Sequence, residues 1–115
     1  MPDKQNVQDK LKALLDSYRS QLPQRLDEIE ILWQSVCDQG KMERDGKELY
    51  RLVHSIAGSG ASFGFSDLSK TAKEFEMGLK VYCESGKAFD KLAQDQLEGA
   101  RSLFYASIKK IESEE

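Results

Sequence analysis

The fold is decided by the stretch Glu48–Glu76, which reads ELYRLVHSIAGSGASFGFSDLSKTAKEFE. Apolar residues recur in it at steps of three and four, first up to Phe63 and again from Leu68, and this is the spacing of amphipathic helices. Only a very short loop at Gly64 and Phe65 separates the two stripes. A loop of that length makes the two helices antiparallel neighbours.

Helical spacing also covers the segment before this hairpin. Its apolar stripe comprises Val7, Leu11, Leu14, Leu15, Tyr18 and Leu22 and continues through Leu26, Ile29, Trp33 and Val36. Pro23 interrupts the stripe, because proline cannot donate the backbone hydrogen bond of a helix interior. The pattern leaves two alternatives open: one long helix kinked at Pro23, or a second helix with Pro23 in its first turn. Gly40 ends the segment as a natural left-handed cap.

A last helix is predicted from about Ala88 or Asp90 onward. Its stripe contains Leu92, Gln96, Ala100, Leu103, Ser107 and Ile111, with Leu97, Phe104 and Ile108 beside it. No segment shows the sustained alternation of a β-strand. We therefore predict an all-α fold, an up-down antiparallel four-helix bundle with an additional or kinked N-terminal helix, in which residues 1–115 form a single domain.

Bulk composition excludes several classes of function. The chain has 115 residues and a formal net charge of −3, with acidic and basic residues interspersed, whereas a nucleic-acid-binding domain would carry a basic stripe. No apolar run approaches the ~18 residues of a membrane span, and the polar N-terminus lacks a signal-peptide core. We therefore expect a cytoplasmic protein that binds neither nucleic acid nor membrane.

Cys37 and Cys83 have no second ligand at metal spacing and are expected to be reduced.

His54 is the only histidine of the chain, and it lies outside the apolar stripe of its helix. At ~100° per residue it falls about 140° from Leu49, on the outer flank. Its neighbours on the helix surface are Lys47, Tyr50 and Arg51 on one side, and Ala57, Gly58 and Ala61 on the other. A glycine in a helix costs about 1 kcal/mol relative to alanine, and the outward-pointing Gly58 has no packing reason for that cost. Access to the ring of His54 explains it better.

The antiparallel hairpin supplies a partner for this imidazole. His54 lies about ten residues before the turn and Glu76 about eleven after it, so at ~1.5 Å rise per residue the two sit at nearly the same height. Glu76 falls about 80° from the apolar stripe of its own helix, at the boundary of that stripe. A carboxylate there can accept the Nδ1 hydrogen and leave Nε2 as the free nucleophile.

Phosphorus chemistry suits this arrangement, because a neutral imidazole is a good nucleophile for phosphorus and cationic side chains stand nearby. The sequence contains no P-loop, no kinase glycine-rich loop and no set of metal-binding carboxylates. The phosphoryl donor must then be another protein, which must also bind the Mg²⁺. The chain is predicted to be a phosphate carrier and not an enzyme, with no cofactor or metal of its own.

The run from His54 to Phe65, with Leu68 and Glu76 downstream, resembles the histidine-phosphotransfer (HPt) domain of two-component phosphorelays. It is also similar to the phosphoacceptor domain of chemotaxis histidine kinases. The resemblance implies that His54 accepts a phosphoryl group from a receiver-domain aspartate, or within a histidine-kinase relay, and passes it to another receiver aspartate. It also implies that Glu76 orients the imidazole by a hydrogen bond.

The partners that the resemblance implies are response-regulator receiver domains and a sensor or hybrid histidine kinase. We expect a monomer that docks them through the exposed face around His54, where Gly58 is implied to keep the ring accessible. The flat centre of this face is predicted to consist of Ala57, Gly58 and Ala61, with Arg51 and Lys73 among the charges at its rim.

One position departs from the family pattern. The family commonly has Lys or Arg three residues after the histidine, where this chain has Ala57. Two alternatives follow: Lys73, Arg51 or Lys47 provides the missing positive charge, or the phosphorylated form is less stabilised. The departure also keeps an alternative function open: a non-catalytic helical docking module that binds receiver domains without carrying phosphate.

Overall fold

Four helices make up the computed structural model, which describes residues 4–113. They are α1 (Lys4–Gln39), α2 (Arg44–Ser62), α3 (Ser66–Ser85) and α4 (Lys91–Ser113), and no strand occurs within that range. Each helix packs against two others, in the cyclic order α1, α2, α3, α4. The predicted all-α class and the four-helix bundle are confirmed.

The N-terminal segment forms one helix. α1 runs through Pro23 without a second helix beginning there, which decides between the two alternatives that the sequence left open. α1 ends where Gly40 adopts a φ of +69°, and the Gly40 amide donates to the Val36 carbonyl at 2.9 Å. The additional helix is therefore absent from the described residues, and the bundle has a single long first helix.

The turn between α2 and α3 depends on Gly64. This residue has a φ of +84°, in the left-handed region that favours glycine, and the Phe65 amide donates to the Gly60 carbonyl at 2.7 Å. At Gly60 itself, an added Cβ would lie 3.4 Å from the backbone nitrogen of Ser69. The two glycines thus let the chain reverse within a few residues and let α2 and α3 approach closely, as antiparallel neighbours.

The core is apolar and rich in aromatic residues. Its largest fully buried side chains are Phe75, Phe89, Phe104, Leu22, Ile29, Leu49, Ile56, Leu68, Leu79, Ile108, Val36 and Val53. On the side where α1 meets α4, the Cζ atom of Arg101 lies 4.9 Å from the ring centroid of Trp33. The same guanidinium forms a salt bridge with Glu30, with 3.1 Å between Nη1 and Oε2. Tyr105 donates to the same Glu30 carboxylate at 2.5 Å. Burial, together with that carboxylate, raises the pKa of Tyr105.

Parts of two predicted apolar stripes lie outside the core. Val7, Leu11 and Leu14 are exposed, because α1 extends past the end of the bundle. From residue 6 onward, Tyr18 is the first buried residue of α1, and its ring stacks on those of Phe63 and Phe65 at the α2–α3 turn.

The buried face of α4 also differs from the prediction. Leu92 and Leu103 are exposed, and the buried residues are Ala93, Leu97, Phe104, Ile108 and Ile111. The sequence of α4 contains two overlapping apolar stripes. The helix buries the one that contains Leu97, Phe104 and Ile108, because this stripe packs against α3. Leu97 fills the space left by the missing side chain of Gly78, where an added Cβ would meet Leu97 Cδ2 at 2.4 Å.

Candidate functional site

His54 stands on the outer flank of α2, in the middle of the α2–α3 hairpin. The helix buries Leu49, Val53 and Ile56, so the flank that carries His54 faces solvent. About two thirds of its side chain is exposed (66%). The ring is therefore held on a rigid element and is open to an approaching molecule.

Glu76 on α3 holds one nitrogen of this ring. Its Oε1 forms a hydrogen bond with His54 Nδ1. Because an ionised carboxylate can only accept, Nδ1 is the donor in this bond, and in the neutral imidazole Nε2 is then the nitrogen without a hydrogen. The Glu76 side chain is only 14% exposed, since it lies where α3 faces α2. The structure thus brings together the two residues that the sequence placed at one height.

Tyr50 is a third member of the site, which sequence reasoning named only as a neighbour of His54. Its ring lies one helical turn before the imidazole and stacks on it, with centroids 6.0 Å apart and an angle of 14° between the planes. Partial burial and the neighbouring Glu76 carboxylate raise the pKa of the Tyr50 phenol. Its position four residues before His54 was the signal that could have found it, because such residues share a helix face.

The other side of the imidazole is bare. Gly58 and Ala61 are exposed, and nothing lies within 4 Å of the position that a Cβ on Gly58 would occupy. The stacked Tyr50 therefore closes one side of the ring, and small residues leave the opposite side open.

Ala57 was wrongly predicted as part of the exposed face. It is only 2% exposed, and its carbonyl accepts a hydrogen bond from the buried Ser69 hydroxyl of α3 at 2.8 Å. At ~100° per residue Ala57 lies about 80° from Leu49, on the flank that α3 covers. The open surface beside His54 accordingly consists of Gly58 and Ala61 alone among the three predicted residues.

The two predicted cations at the rim differ in their surroundings. Arg51 binds Glu48 through two hydrogen bonds, of 3.0 and 2.5 Å, and each partner shifts the other: the pKa of Arg51 is raised and that of Glu48 is lowered. Lys73 is exposed on α3 and forms no salt bridge within residues 4–113. The third candidate, Lys47, is exposed on α2.

Within the described part of the chain, no group of three or more His, Cys, Asp or Glu side chains could hold a metal ion. No helix there is both long and apolar enough to cross a membrane. Cys37 and Cys83 are free and half-buried. Burial raises the pKa of both thiols, which disfavours the reactive thiolate form.

A protein-family model described as Hpt domain matches residues 13–103, which is most of the chain. This chain belongs to the Hpt family. No curated protein and no solved structure matched it significantly. Hpt domains are phosphotransfer modules of two-component signalling that carry phosphate without an ATP site, and they interact with receiver domains and kinases. The resemblance seen in the run from His54 to Phe65 is thereby confirmed at the level of the family.

A bulky side chain on Gly58 is expected to stabilise this Hpt domain and to impair its phosphate transfer. Gly58→Gln should raise the free energy of unfolding by roughly 0.5–1 kcal/mol, because the space around Gly58 is open and glycine is a poor helix former. The added side chain should hold the receiver away from His54 and slow the transfer of phosphate by about 10–100-fold, because a displacement of about 1 Å between reacting groups lowers the rate by a factor of that size. Urea unfolding and a phosphotransfer time course measure the two effects.

Gly99→Gln is the matched control for this substitution. Gly99 is also an exposed helical glycine with nothing within 4 Å of its Cβ position, but it lies on α4, away from His54. We expect a similar gain in stability with an unchanged transfer rate. Equal transfer rates in the two variants would contradict the access role of Gly58.

Proposed function

We propose that His54 accepts a phosphoryl group on Nε2 from the aspartyl phosphate of one receiver domain and passes it to the aspartate of another. The observation that carries this proposal is the bond from the chain's only histidine to Glu76, which occupies Nδ1 and leaves Nε2 without a partner in that bond, on a side chain that is about two thirds exposed (66%). Membership of the Hpt family supports the same chemistry.

In the proposed reaction the Nε2 lone pair attacks the phosphorus atom of the receiver's acyl phosphate. The N–P bond forms as the P–O bond to the aspartate breaks, and the aspartate leaves as a carboxylate with the bonding electrons. No proton is transferred, because Nδ1 keeps its hydrogen throughout. The return reaction with a second receiver runs through the same steps in reverse order.

Glu76 has two effects in this scheme. In the free domain it keeps the proton on Nδ1, so that Nε2 is the nucleophile. After attack the imidazole carries both a phosphoryl group and a proton, and its ring becomes cationic. The ionised Glu76 carboxylate stabilises that cation, which forms only as the reaction proceeds, and such interactions are the ones that accelerate a chemical step.

The proposed docking face surrounds His54 and combines small and apolar residues. Gly58 and Ala61 form its α2 side, and the exposed Met77 follows Glu76 directly on α3. Methionine is a flexible side chain that suits surfaces with several partners. In this proposal a receiver domain, or the receiver of a hybrid kinase, places its aspartate and bound Mg²⁺ over Nε2, and the Hpt domain contributes no metal.

A phosphotransfer assay tests the proposal. A receiver domain charged with acetyl phosphate is mixed with the chain, and labile phosphate on each protein is followed with time. We expect the receiver to lose phosphate while the chain gains acid-labile, base-stable phosphate, as a phosphohistidine does. Binding of the receiver without any gain of phosphate would contradict the proposal and favour the non-catalytic docking module.

A further inference from the structure

A phosphoryl group on His54 brings two negative charges to a surface that already contains the Glu76 carboxylate. Phosphoryl groups carry about −1.5 to −2 charges near pH 7, so a nearby cation would stabilise the product. Arg51 is already engaged by Glu48. Ala57 offers no charge, and its side chain is buried. The helix turn that follows His54 therefore offers no counter-charge for the phosphoryl group.

Lys73 occupies the place on α3 from which such a charge can act. Ser69, four residues before it, donates to the Ala57 carbonyl, and Glu76, three residues after it, binds His54. Residues at spacings of three and four share a helix face, so Lys73 lies on the side of α3 that faces α2. At 1.5 Å rise per residue it sits about 4.5 Å along the axis from Glu76, between the levels of its two bonded neighbours.

The surface between Lys73 and His54 is the open one. Going round α3, Lys73 lies about 60° farther toward solvent than Glu76, at the rim of the α2–α3 groove. On α2, Gly58 and Ala61 are exposed beside His54, and their small side chains leave room for the long stem of a lysine. Tyr50 closes the opposite side of the ring, where Lys80 stands and is paired with Glu84 at 3.9 Å.

We propose that Lys73 reaches across Gly58 and Ala61 and binds the phosphoryl group on His54 Nε2, so that α3 provides the positive charge that the helix turn after His54 lacks. This proposal rests on the proposed function of His54. Lysine suits the role because its ammonium is a compact charge on a flexible stem with three donors. Lys73 forms no salt bridge within residues 4–113, so its ammonium is available to the phosphoryl group.

The second ionisation of the phosphoryl group reports a neighbouring cation directly. The full chain is phosphorylated with phosphoramidate, whose P–N bond breaks with loss of ammonia as the bond to Nε2 forms. The ³¹P chemical shift of phospho-His54 is then titrated against pH. Lys73→Ala should raise the titration midpoint by about half a unit at low salt, since an ammonium favours the dianion. Lys73→Arg, which keeps the positive charge, should bring the titration midpoint most of the way back to that of the original chain.

Lys70→Ala is the matched control, because Lys70 is an exposed lysine of the same helix that points farther away from α2. The titration midpoint of phospho-His54 in Lys70→Ala should equal that in the chain without a substitution. An unchanged midpoint in Lys73→Ala, or a shift in Lys80→Ala alone, would overturn the assignment of Lys73 while leaving the function of His54 intact. Absence of any phosphohistidine signal in the unmodified chain would overturn both proposals.

Discussion

His54→Gln is expected to abolish phosphate acceptance while leaving the fold intact. The glutamine amide is not a nucleophile toward phosphorus, so the rate of transfer from a charged receiver should fall by at least about 1,000-fold. The amide can still donate to Glu76, and the position is exposed, so the free energy of unfolding should change by no more than about 0.5 kcal/mol. A transfer time course and urea unfolding measure these quantities.

Receiver binding provides the control for this variant. The docking face loses one exposed ring, and its surrounding residues stay in place, so the dissociation constant for a receiver should change by less than about tenfold. A His54→Gln domain that binds and still accepts phosphate at the original rate would contradict the assignment of His54. If transfer were lost because binding is lost, the dissociation constant for the receiver would rise by more than this.

Glu76→Ala should also slow the transfer of phosphate strongly. Without the carboxylate, the proton can move between Nδ1 and Nε2, the ring can rotate, and the cation formed by phosphorylation loses its counter-charge. Removing the hydrogen-bond partner of a functional histidine costs about 10–100-fold at metal sites, where the same orientation is needed. We expect a slowing of that size in the rate of transfer from a charged receiver.

Two further variants separate orientation from charge. Glu76→Gln keeps an oxygen that accepts from Nδ1 but has no charge, and it should retain part of the rate. Glu74→Ala removes an exposed carboxylate from the same helix and should leave the rate unchanged. If Glu76→Ala transferred phosphate as fast as Glu74→Ala, the bond to His54 would be unnecessary for the reaction.

The helical hairpin could be predicted from the sequence because its signals are local. The apolar spacing on both sides of Gly64 needs only the geometry of a helix, and the short turn determines the relative direction of α2 and α3. The exposure of Val7 and Leu11 could not be predicted in this way. It depends on where α2, α3 and α4 end relative to α1, which is a property of the packed bundle and not of the α1 sequence.

The candidate site was predictable to the same extent. Helix arithmetic placed His54 on the outer flank and Glu76 at its height, and the structure joins the two by a hydrogen bond. Ala57 was misplaced because it lies at the boundary of the apolar stripe, where the neighbouring helix decides whether a residue is covered. The effect of the Glu76 carboxylate on the pKa of Tyr50 was missed, because Tyr50 lies on α2 and Glu76 on α3.

Phosphorylation at Nε2 of His54 can be measured by NMR, because His54 is the sole histidine of the chain. In a sample labelled with ¹⁵N in histidine, the imidazole of His54 gives the only ring-nitrogen signals. After transfer from a charged receiver, we predict that the Nε2 signal couples to ³¹P while Nδ1 remains protonated. Coupling to Nδ1, or phosphate on the chain with neither ring nitrogen coupled to phosphorus, would show that Nε2 of His54 is not the phosphorylated atom.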